Sequence, residues 1–299
     1  MNQGLLVMAY GTPRDLDDVE AYYTDIRHGR APSPELLAEL QNRYRAIGGR
    51  SPLLEITQAQ TRGLGERLGL PCFLGQKHAR PNIPDAVKAA AAAGVERLIG
   101  LVLAPHYSKM SIGDYARRAE RAAEEAGWDG ELDVIPHWYD EPGYLDWLAA
   151  RVKEALTQLP SDLQEEALVV FSAHSLPERI VQSGDPYPQQ LAATARAVAQ
   201  RAGLHHVRVG WQSAGRTADP WLGPDISEIL REEAGGRRHA VVVCPCGFVS
   251  DHLEVLYDID IAARAEAESL GIELIRTRAP NDDPAFLDLL AQVVGRKLD

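Results

Sequence analysis

His174 is the first of several residues whose chemistry suits metal binding or proton transfer. It follows an apolar segment at residues 167–172 and precedes the turn Ser175-Leu176-Pro177. A neutral imidazole in this place can accept a proton or bind a metal near pH 7. Position alone favours the alternative, a strand-end histidine hydrogen-bonded to a loop carbonyl. From this segment by itself, both interpretations stay open.

A group of carboxylates follows the apolar segment at residues 240–244. Asp251, Glu254 and Asp258 are spaced i, i+3 and i+7, so a helix would place them on one face. No Lys or Arg lies within residues 247–258 to pair with them. In a cleft, such crowded carboxylates raise one another's pKa or attract a cation. Spacing alone favours a helix start instead, with Asp251 as the N-cap and Glu254 in the first turn.

Two further residues at predicted strand ends have the same ambiguity. Tyr10 lies where the first apolar segment meets its loop, and a tyrosine there usually places its hydroxyl at a solvated rim. For Tyr10, position alone makes a cofactor or metal role the minority interpretation. His106 follows Pro105, which favours a structural role for this histidine.

The charge of the chain excludes one class of partner and makes one basic segment informative. Acidic residues number 43 and basic residues 31, so the formal net charge is −12. A nucleic-acid partner would select a basic surface, and we expect none. Residues 27–50 nevertheless hold five arginines and two acids. This segment is a candidate anion site, although arginines solvated on helix faces would give the same composition.

The number of cysteines and the length of the apolar segments indicate which cellular compartment and which cofactors to expect. Cys72, Cys244 and Cys246 are the three cysteines, whereas an iron–sulfur cluster normally takes four. Their sparse, odd number suits a reducing compartment without disulfides. No apolar segment approaches the roughly 20 residues that span a bilayer, and the first eight residues resemble a buried strand rather than a signal peptide. We therefore expect a cytoplasmic protein that does not insert into membranes.

The elements that must position these residues alternate between short apolar segments and longer amphipathic ones, which indicates βαβ units and parallel sheets. Most of the strands are continuously apolar, as expected where helices cover both faces of a sheet. The predicted strands are residues 4–9, 72–75, 97–103, 132–135, 167–172, 206–211, 240–244 and 272–275. The predicted amphipathic helices are residues 112–126, 189–202 and 226–233, and Asp283-Pro284 opens the last helix.

Four strands fall in each half of the chain. This predicts an α/β fold with two similar Rossmann-like domains, each a four-stranded parallel sheet flanked by helices. A short echo between residues 101–108 and 169–176 supports the duplication. We place the domains at residues 1–155 and 156–283, with the C-terminal helix 284–299 packing on the first. Ligands bind beyond the carboxyl ends of strands in such sheets, so the residues there should surround one interdomain cleft.

Five motifs with specific spacing extend over nearly the whole chain. They are residues 8–13 (MAYGTP), 43–53 (RYRAIGGRSPL), 104–108 (APHYS), 171–177 (FSAHSLP) and 247–254 (GFVSDHLE). In this order they resemble the ferrochelatases, and specifically the coproporphyrin ferrochelatases of bacteria. One such motif would be weak evidence, whereas five with the correct spacing are specific.

The resemblance implies a chelatase fold in which His174 and Glu254 are both the catalytic residues and the metal-site pair. This reverses the interpretation that position alone favours for each of them. Tyr10 is implied to face the iron from the opposite side of the macrocycle. The implied porphyrin contacts are Tyr10, Arg27, Arg43, Tyr44, Ser51 and Tyr115. Of these, the two arginines would meet propionate groups, which would account for the basic segment.

The implied activity is insertion of ferrous iron into coproporphyrin III in haem biosynthesis. Fe²⁺ and coproporphyrin III are then the substrates, with no permanently bound cofactor and no iron–sulfur cluster, and we expect a monomer. Some relatives carry a further carboxylate one turn beyond Asp258, where this chain has Ala262. The resemblance therefore does not extend to a secondary magnesium-type site.

Other functions remain compatible with these residues. A protoporphyrin IX ferrochelatase, or a chelatase for another tetrapyrrole, would share the architecture, but the motif at residues 10–13 favours the coproporphyrin branch. A non-catalytic tetrapyrrole-binding protein would use the same cleft, because fold alone does not decide function. Such a protein would not need His174 and Glu254 together.

Overall fold

The structure is a computed structural model that describes residues 2–215, 217–236 and 238–298. Within these ranges the chain forms two four-stranded parallel sheets with helices on their faces. The strands are β1 (Gln3–Ala9), β2 (Cys72–Gln76), β3 (Arg97–Val102), β4 (Glu131–Val134), β5 (Leu168–His174), β6 (Val207–Gln212), β7 (Ala240–Cys244) and β8 (Glu273–Arg276). All eight predicted strands are present, so the predicted α/β fold with two parallel sheets is confirmed.

The helices cover both faces of the sheets, which explains why the strands are continuously apolar. They are α1 (Val19–Ile26), α2 (Pro34–Ala46), α3 (Leu53–Leu68), α4 (Ile83–Ala92), α5 (Ile112–Ala126), α6 (Pro142–Leu156), α7 (Arg179–Gln182), α8 (Tyr187–Ala202), α9 (Ile226–Ala234), α10 (Leu253–Leu256), a π-helix (Asp258–Ala263), α11 (Arg264–Ser269) and α12 (Pro284–Gly295). Asp283 caps α12 as the sequence predicts, because its carboxylate accepts the Ala285 N–H at 3.0 Å.

The strands of the two sheets follow the same order, and this order corrects the alignment of the two halves that residues 101–108 and 169–176 suggest. The strand orders are β2-β1-β3-β4 and β6-β5-β7-β8, so β5 corresponds to β1 and β7 to β3. The echo between residues 101–108 and 169–176 instead pairs β3 with β5, and as an alignment of the repeats it is wrong. With the correct pairing, Tyr10 follows β1 and His174 ends β5, so these two residues occupy equivalent places in the two halves.

A central core joins the two sheets. Val7 of the first sheet and Phe171 of the second belong to one buried apolar cluster, which also contains Tyr144 of α6 and Phe286 of α12. Helix α12 packs against α3 and α6, while α6 packs against α8 and β7. The domain boundaries at residues 155/156 and 283/284 remain a prediction.

The loop after β3 connects the halves through buried polar contacts. Asp185 accepts the Ser108 hydroxyl at 2.9 Å and the Lys109 N–H at 2.8 Å. His106 is fully buried, with Nε2 3.0 Å from the Thr194 hydroxyl. Burial lowers the pKa of His106 to about 3, so its imidazole is neutral and structural.

Gly247, just after β7, approaches β5 so closely that a side chain would collide with it. A Cβ on Gly247 would lie 2.4 Å from the Ala173 Cβ and 2.8 Å from the Ala173 Cα. We expect Gly247→Ala to lower the free energy of unfolding by about 1–3 kcal/mol, because the strand beside His174 must move. Urea denaturation measures this difference. Gly295→Ala is the control, since its Cβ would enter open space; equal losses in both variants would contradict the expectation.

Candidate active site

His174 is held at the carboxyl end of β5 by one contact of its backbone and one of its ring. The Tyr187 hydroxyl donates to the His174 carbonyl oxygen at 3.0 Å. The imidazole Nδ1 lies within hydrogen-bonding distance of the Ser175 carbonyl oxygen. A carbonyl only accepts, so Nδ1 carries the hydrogen and the neutral ring offers the lone pair of Nε2.

Glu254 faces this lone pair from the next loop of the same sheet. Its Oε1 lies 3.6 Å from His174 Nε2, and its Oε2 lies 3.6 Å from His252 Nε2. Glu254 belongs to α10, and Gln212 at the end of β6 donates to its backbone carbonyl at 2.9 Å. Donor atoms 3.6 Å apart can both reach one divalent ion at bond lengths of about 2.1 Å. The pair can therefore share either a proton or a metal ion.

His174 and Glu254 shift each other's pKa and so set each other's protonation state. Burial is the largest single influence on His174 and lowers its pKa, but the charge and hydrogen bond of Glu254, together with the Ser175 carbonyl and the charge of Asp258, outweigh burial and raise that pKa above its ordinary value. Burial likewise opposes ionisation of Glu254, yet His174 and then His252 hold the pKa of this carboxyl well below its usual range. The site thus holds a permanent carboxylate beside an imidazole that gains a proton readily.

The pair lies where residues of the two halves face each other. Solvent reaches the side chains of His174 and Glu254, which are 34% and 31% exposed, although protein surrounds them on most sides. Desolvation by the surrounding protein, and then the charge of Glu254, raise the pKa of Tyr10, even though part of this residue remains exposed to solvent. The charge of Glu254 also acts on Tyr44, where burial is the larger cause and the pKa rises to about 12. Residues of the first half therefore face the carboxylate of the second.

Tyr10 follows β1 and lies on the side of the site that the first sheet contributes. The following residue, Gly11, has φ 96°, and a Cβ there would lie 2.9 Å from the Ala79 Cβ, so the turn requires glycine. Tyr10 is 42% exposed, and its ring centroid lies 4.8 Å from that of His78. The Lys77 ammonium lies 5.9 Å from the centre of the Tyr10 ring. An aromatic face is thus presented to solvent at the rim of the cleft.

The other predicted porphyrin contacts differ in how much surface they offer. Tyr44, Ser51 and Tyr115 are buried. Arg27, at the C-terminus of α1, is exposed, and its Nε donates to the Arg30 carbonyl at 3.2 Å. The roles of all these residues as porphyrin contacts remain predictions.

Arg43 reaches across from the first half to the second. Its guanidinium is ion-paired with Asp258 and lies 4.5 Å from the centre of the Tyr257 ring. The Ser213 hydroxyl donates to the other carboxylate oxygen of Asp258. In this structure the arginine that is predicted to meet a propionate is therefore paired with a carboxylate of the protein.

Two predictions about the acidic segment are wrong. Asp251 is not a helix cap, because α10 begins at Leu253 and its N-cap residue is His252. Asp251, Glu254 and Asp258 do not share one α-helical face, since a π-helix begins at Asp258. The arginine partners of Asp251 and Asp258 are Arg276 and Arg43, which lie far away in the chain, so a window of neighbouring residues could not reveal them.

Sequence reasoning also missed residues that contact the pair. His252 lies within the motif at residues 247–254, two positions before Glu254, and that placement was the available signal. Gln212, the last residue of β6, contacts Glu254, and Ser213 after it contacts Asp258. Both belong to a strand end at which the sequence predicts ligand binding, but no pattern gave either residue a role. In the described ranges, no three His, Cys, Asp or Glu side chains gather as the ligands of one metal ion.

Solved structures identify the class of fold. SirB from Bacillus subtilis with Fe³⁺ aligns with a TM-score of 0.65 over 99% of this chain and 95% of that chain, at 12% identity. The sirohydrochlorin chelatase SirB from Bacillus subtilis subspecies spizizenii, in complex with cobalt, aligns with a TM-score of 0.55 at 12% identity over the same shares of the two chains. At such low identity the similarity shows the fold alone, and that fold is the one of the chelatases.

Sequence comparison then gives the family. Residues 2–298 match the family model for ferrochelatase. The coproporphyrin III ferrochelatase of Geobacillus thermodenitrificans is 48% identical over 99% of this chain and 96% of its own. Coproporphyrin III ferrochelatase 2 of Bacillus cereus is 47% identical over 99% and 94%, and the ferrochelatase of Herpetosiphon aurantiacus is 46% identical over 97% of both chains. The chain belongs to the ferrochelatase family, which confirms the resemblance in its motifs.

Helices that would be long and apolar enough to cross a bilayer do not occur among the residues that the structure describes.

Proposed function

We propose that this protein inserts Fe²⁺ into coproporphyrin III in haem biosynthesis. The observation that carries the proposal is the imidazole–carboxylate pair, with His174 Nε2 and Glu254 Oε1 3.6 Å apart and both side chains partly exposed to solvent. The relatives named coproporphyrin III ferrochelatase, at about 48% identity over nearly the full chain, support the choice of porphyrin. Iron is then a substrate, and the protein needs no resident cofactor.

The reaction requires both a proton acceptor and a weak metal ligand. A free-base porphyrin releases two pyrrole protons as its four nitrogens bind one divalent ion. In the proposed reaction, His174 Nε2 accepts the two protons one after the other and passes each to solvent, and Glu254 stabilises the imidazolium that forms each time. Imidazole and carboxylate bind ferrous iron and still release it, whereas a set of thiolates would retain it. The two residues thus combine the functions that insertion needs.

The cleft walls complete the proposed binding mode. A flat macrocycle shields its nitrogens, so we propose that contacts at its rim hold it puckered while the metal enters. We propose that Tyr10 faces the metal from the side opposite to His174. Arg27 and Arg43 would bind propionates, and Arg43 would exchange the carboxylate of Asp258 for one of them.

The proposed setting is the cytoplasm, with the protein acting as a monomer. Cys72, Cys244 and Cys246 are all free thiols, as is usual in a reducing compartment. Analytical ultracentrifugation measures the oligomeric state.

Turnover of two porphyrins tests the proposal directly. We expect iron insertion under anaerobic conditions to be faster with coproporphyrin III, which has four propionates, than with protoporphyrin IX, which has two. The physical reason is that additional carboxylates can pair with arginines at the cleft. Soret absorbance follows both reactions. Faster turnover of protoporphyrin IX would contradict the substrate assignment, and tight porphyrin binding without any insertion would indicate a carrier.

A further inference from the structure

Arg276, the last residue of β8, forms two ion pairs in the interior of the second half. Its side chain is only 13% exposed. One terminal nitrogen lies 3.1 Å from the Asp251 carboxylate. Its Nε and other terminal nitrogen donate to the two carboxylate oxygens of Asp260 at 2.7 and 2.8 Å. One guanidinium therefore joins two carboxylates, and one of these pairs is bidentate.

The two carboxylates belong to the first and the last residue of the chain segment 251–260, which we call the metal-site segment. Asp251 precedes α10, and Asp260 belongs to the π-helix. His252, Glu254 and Asp258 lie between them. Arg276 thus connects the two ends of the segment that carries the proposed iron ligand Glu254.

This segment has little rigidity of its own. Helix α10 spans only Leu253–Leu256 and has no side-chain cap. The π-helix that follows it is closed by wider hydrogen bonds, such as Ala262 N–H to the Tyr257 carbonyl at 2.8 Å. Short helices of this kind depend on tertiary contacts for their position.

Asn281 makes further hydrogen bonds at the N-terminal end of the metal-site segment. Its side-chain amide donates to the Asp251 carboxylate at 2.8 Å, and its side-chain oxygen accepts the Asp251 N–H at 2.8 Å. Arg276 ends β8, and Asn281 lies in the loop between β8 and α12. Contacts with the edge strand β8 and the loop after it therefore hold the metal-site segment in position, whereas its own short helix contributes little.

We infer that Arg276 is a positioning residue that sets Glu254 at its distance from His174. It touches neither pair member, and it acts by holding Asp251 and Asp260. This inference rests on the proposed function, since it assigns Arg276 to iron binding at the same site. Replacing a residue that orients a metal ligand without touching the metal typically lowers metal affinity or activity by about 10- to 100-fold.

Arg276→Lys tests the inference, because a lysine keeps the positive charge but cannot bridge two carboxylates with a planar fork. We expect the KM for Fe²⁺ to rise by about 10- to 100-fold, with the dissociation constant for coproporphyrin III unchanged. Hydrogen–deuterium exchange of residues 252–258 should become faster. The control is Arg278→Lys, whose partner Asp283 at 2.9 Å lies outside the metal-site segment.

A second variant decides the matter if Arg276→Lys does not fold. Asp260→Asn weakens one end of the bridge and keeps the pair with Asp251, so it should raise the KM for Fe²⁺ and the exchange rate in the same direction. Unchanged iron KM and unchanged exchange in the folded variants would overturn the inference. If the unsubstituted protein inserts no iron, the proposed function fails instead, and the exchange rates still report whether Arg276 orders the segment.

Discussion

His174→Ala is expected to abolish iron insertion while coproporphyrin III still binds. The substitution removes Nε2, the ring nitrogen that is free to accept a proton because Nδ1 is engaged by the Ser175 carbonyl. Loss of a positioned acid–base group typically lowers the rate by 10²- to 10⁴-fold, so we expect about that loss here. Binding should survive, because the rim contacts and Tyr10 lie on the first half of the molecule.

Two measurements separate catalysis from binding in this variant. Anaerobic insertion, followed by Soret absorbance, gives the rate, and quenching of porphyrin fluorescence gives the dissociation constant. His205→Ala is the matched control, because His205 is an exposed histidine in the loop before β6. Full activity of His174→Ala, or loss of binding together with activity, would refute the role assigned to His174.

Glu254→Gln is expected to lower the rate and also to move its pH dependence. Glu254 raises the pKa of His174, so the proton-accepting neutral ring becomes abundant only above the ordinary value of about 6.5. In the unsubstituted protein, kcat/KM for the porphyrin should therefore rise with pH through this range. Removing the carboxylate lets burial dominate and lowers the pKa of His174, so the rising limb should shift to lower pH. The maximal rate should fall about 100-fold or more, since the acceptor loses its partner.

The same variant should change the pH dependence of stability. The folded-state pKa of Glu254 is depressed, so its contribution is present above its ordinary pKa and is lost as pH falls. The folded-state pKa of His174 is raised, so its contribution is present below its ordinary pKa and is lost as pH rises. The difference in unfolding free energy between the two proteins should therefore be largest between about pH 4.5 and 6.5.

Urea denaturation across pH measures this difference, and pH–rate profiles measure the shift of the limb. Glu273→Gln is the control, because Glu273 is an exposed carboxylate at the start of β8. A pH–rate profile that does not move in Glu254→Gln would show that the carboxylate does not govern the protonation of His174.

Local sequence features predicted the elements well. Continuous apolar segments such as β7 (Ala240–Cys244) agree with the structure at both ends, because a strand buried on both faces needs apolar residues at every position. The amphipathic period placed α5 at Ile112–Ala126, and Asp283 with Pro284 placed the start of α12. These signals are local, since backbone geometry and one-sided burial act over a few neighbouring residues.

Short sequence patterns gave wrong predictions where the interaction partners of a residue are distant in the chain. The spacing of Asp251 and Glu254 resembles a helix cap, but Asp251 pairs with Arg276 and Asn281 instead. The likeness between residues 101–108 and 169–176 suggested that β3 corresponds to β5, whereas strand order makes β1 the counterpart. In each case a short pattern was compatible with more than one arrangement, and contacts across the fold selected one.

By itself, the amino-acid sequence determined the strands, several of the helices, the parallel sheets and, through its motifs, the family. Only the tertiary structure decided that His174 Nε2 and Glu254 Oε1 lie 3.6 Å apart, and that Arg43 and Arg276 pair with acids of the segment after β7. The physical reason is that the order of strands in a sheet sets which loops meet at its carboxyl edge. That order comes from packing over the whole chain, so no local stretch of residues encodes it.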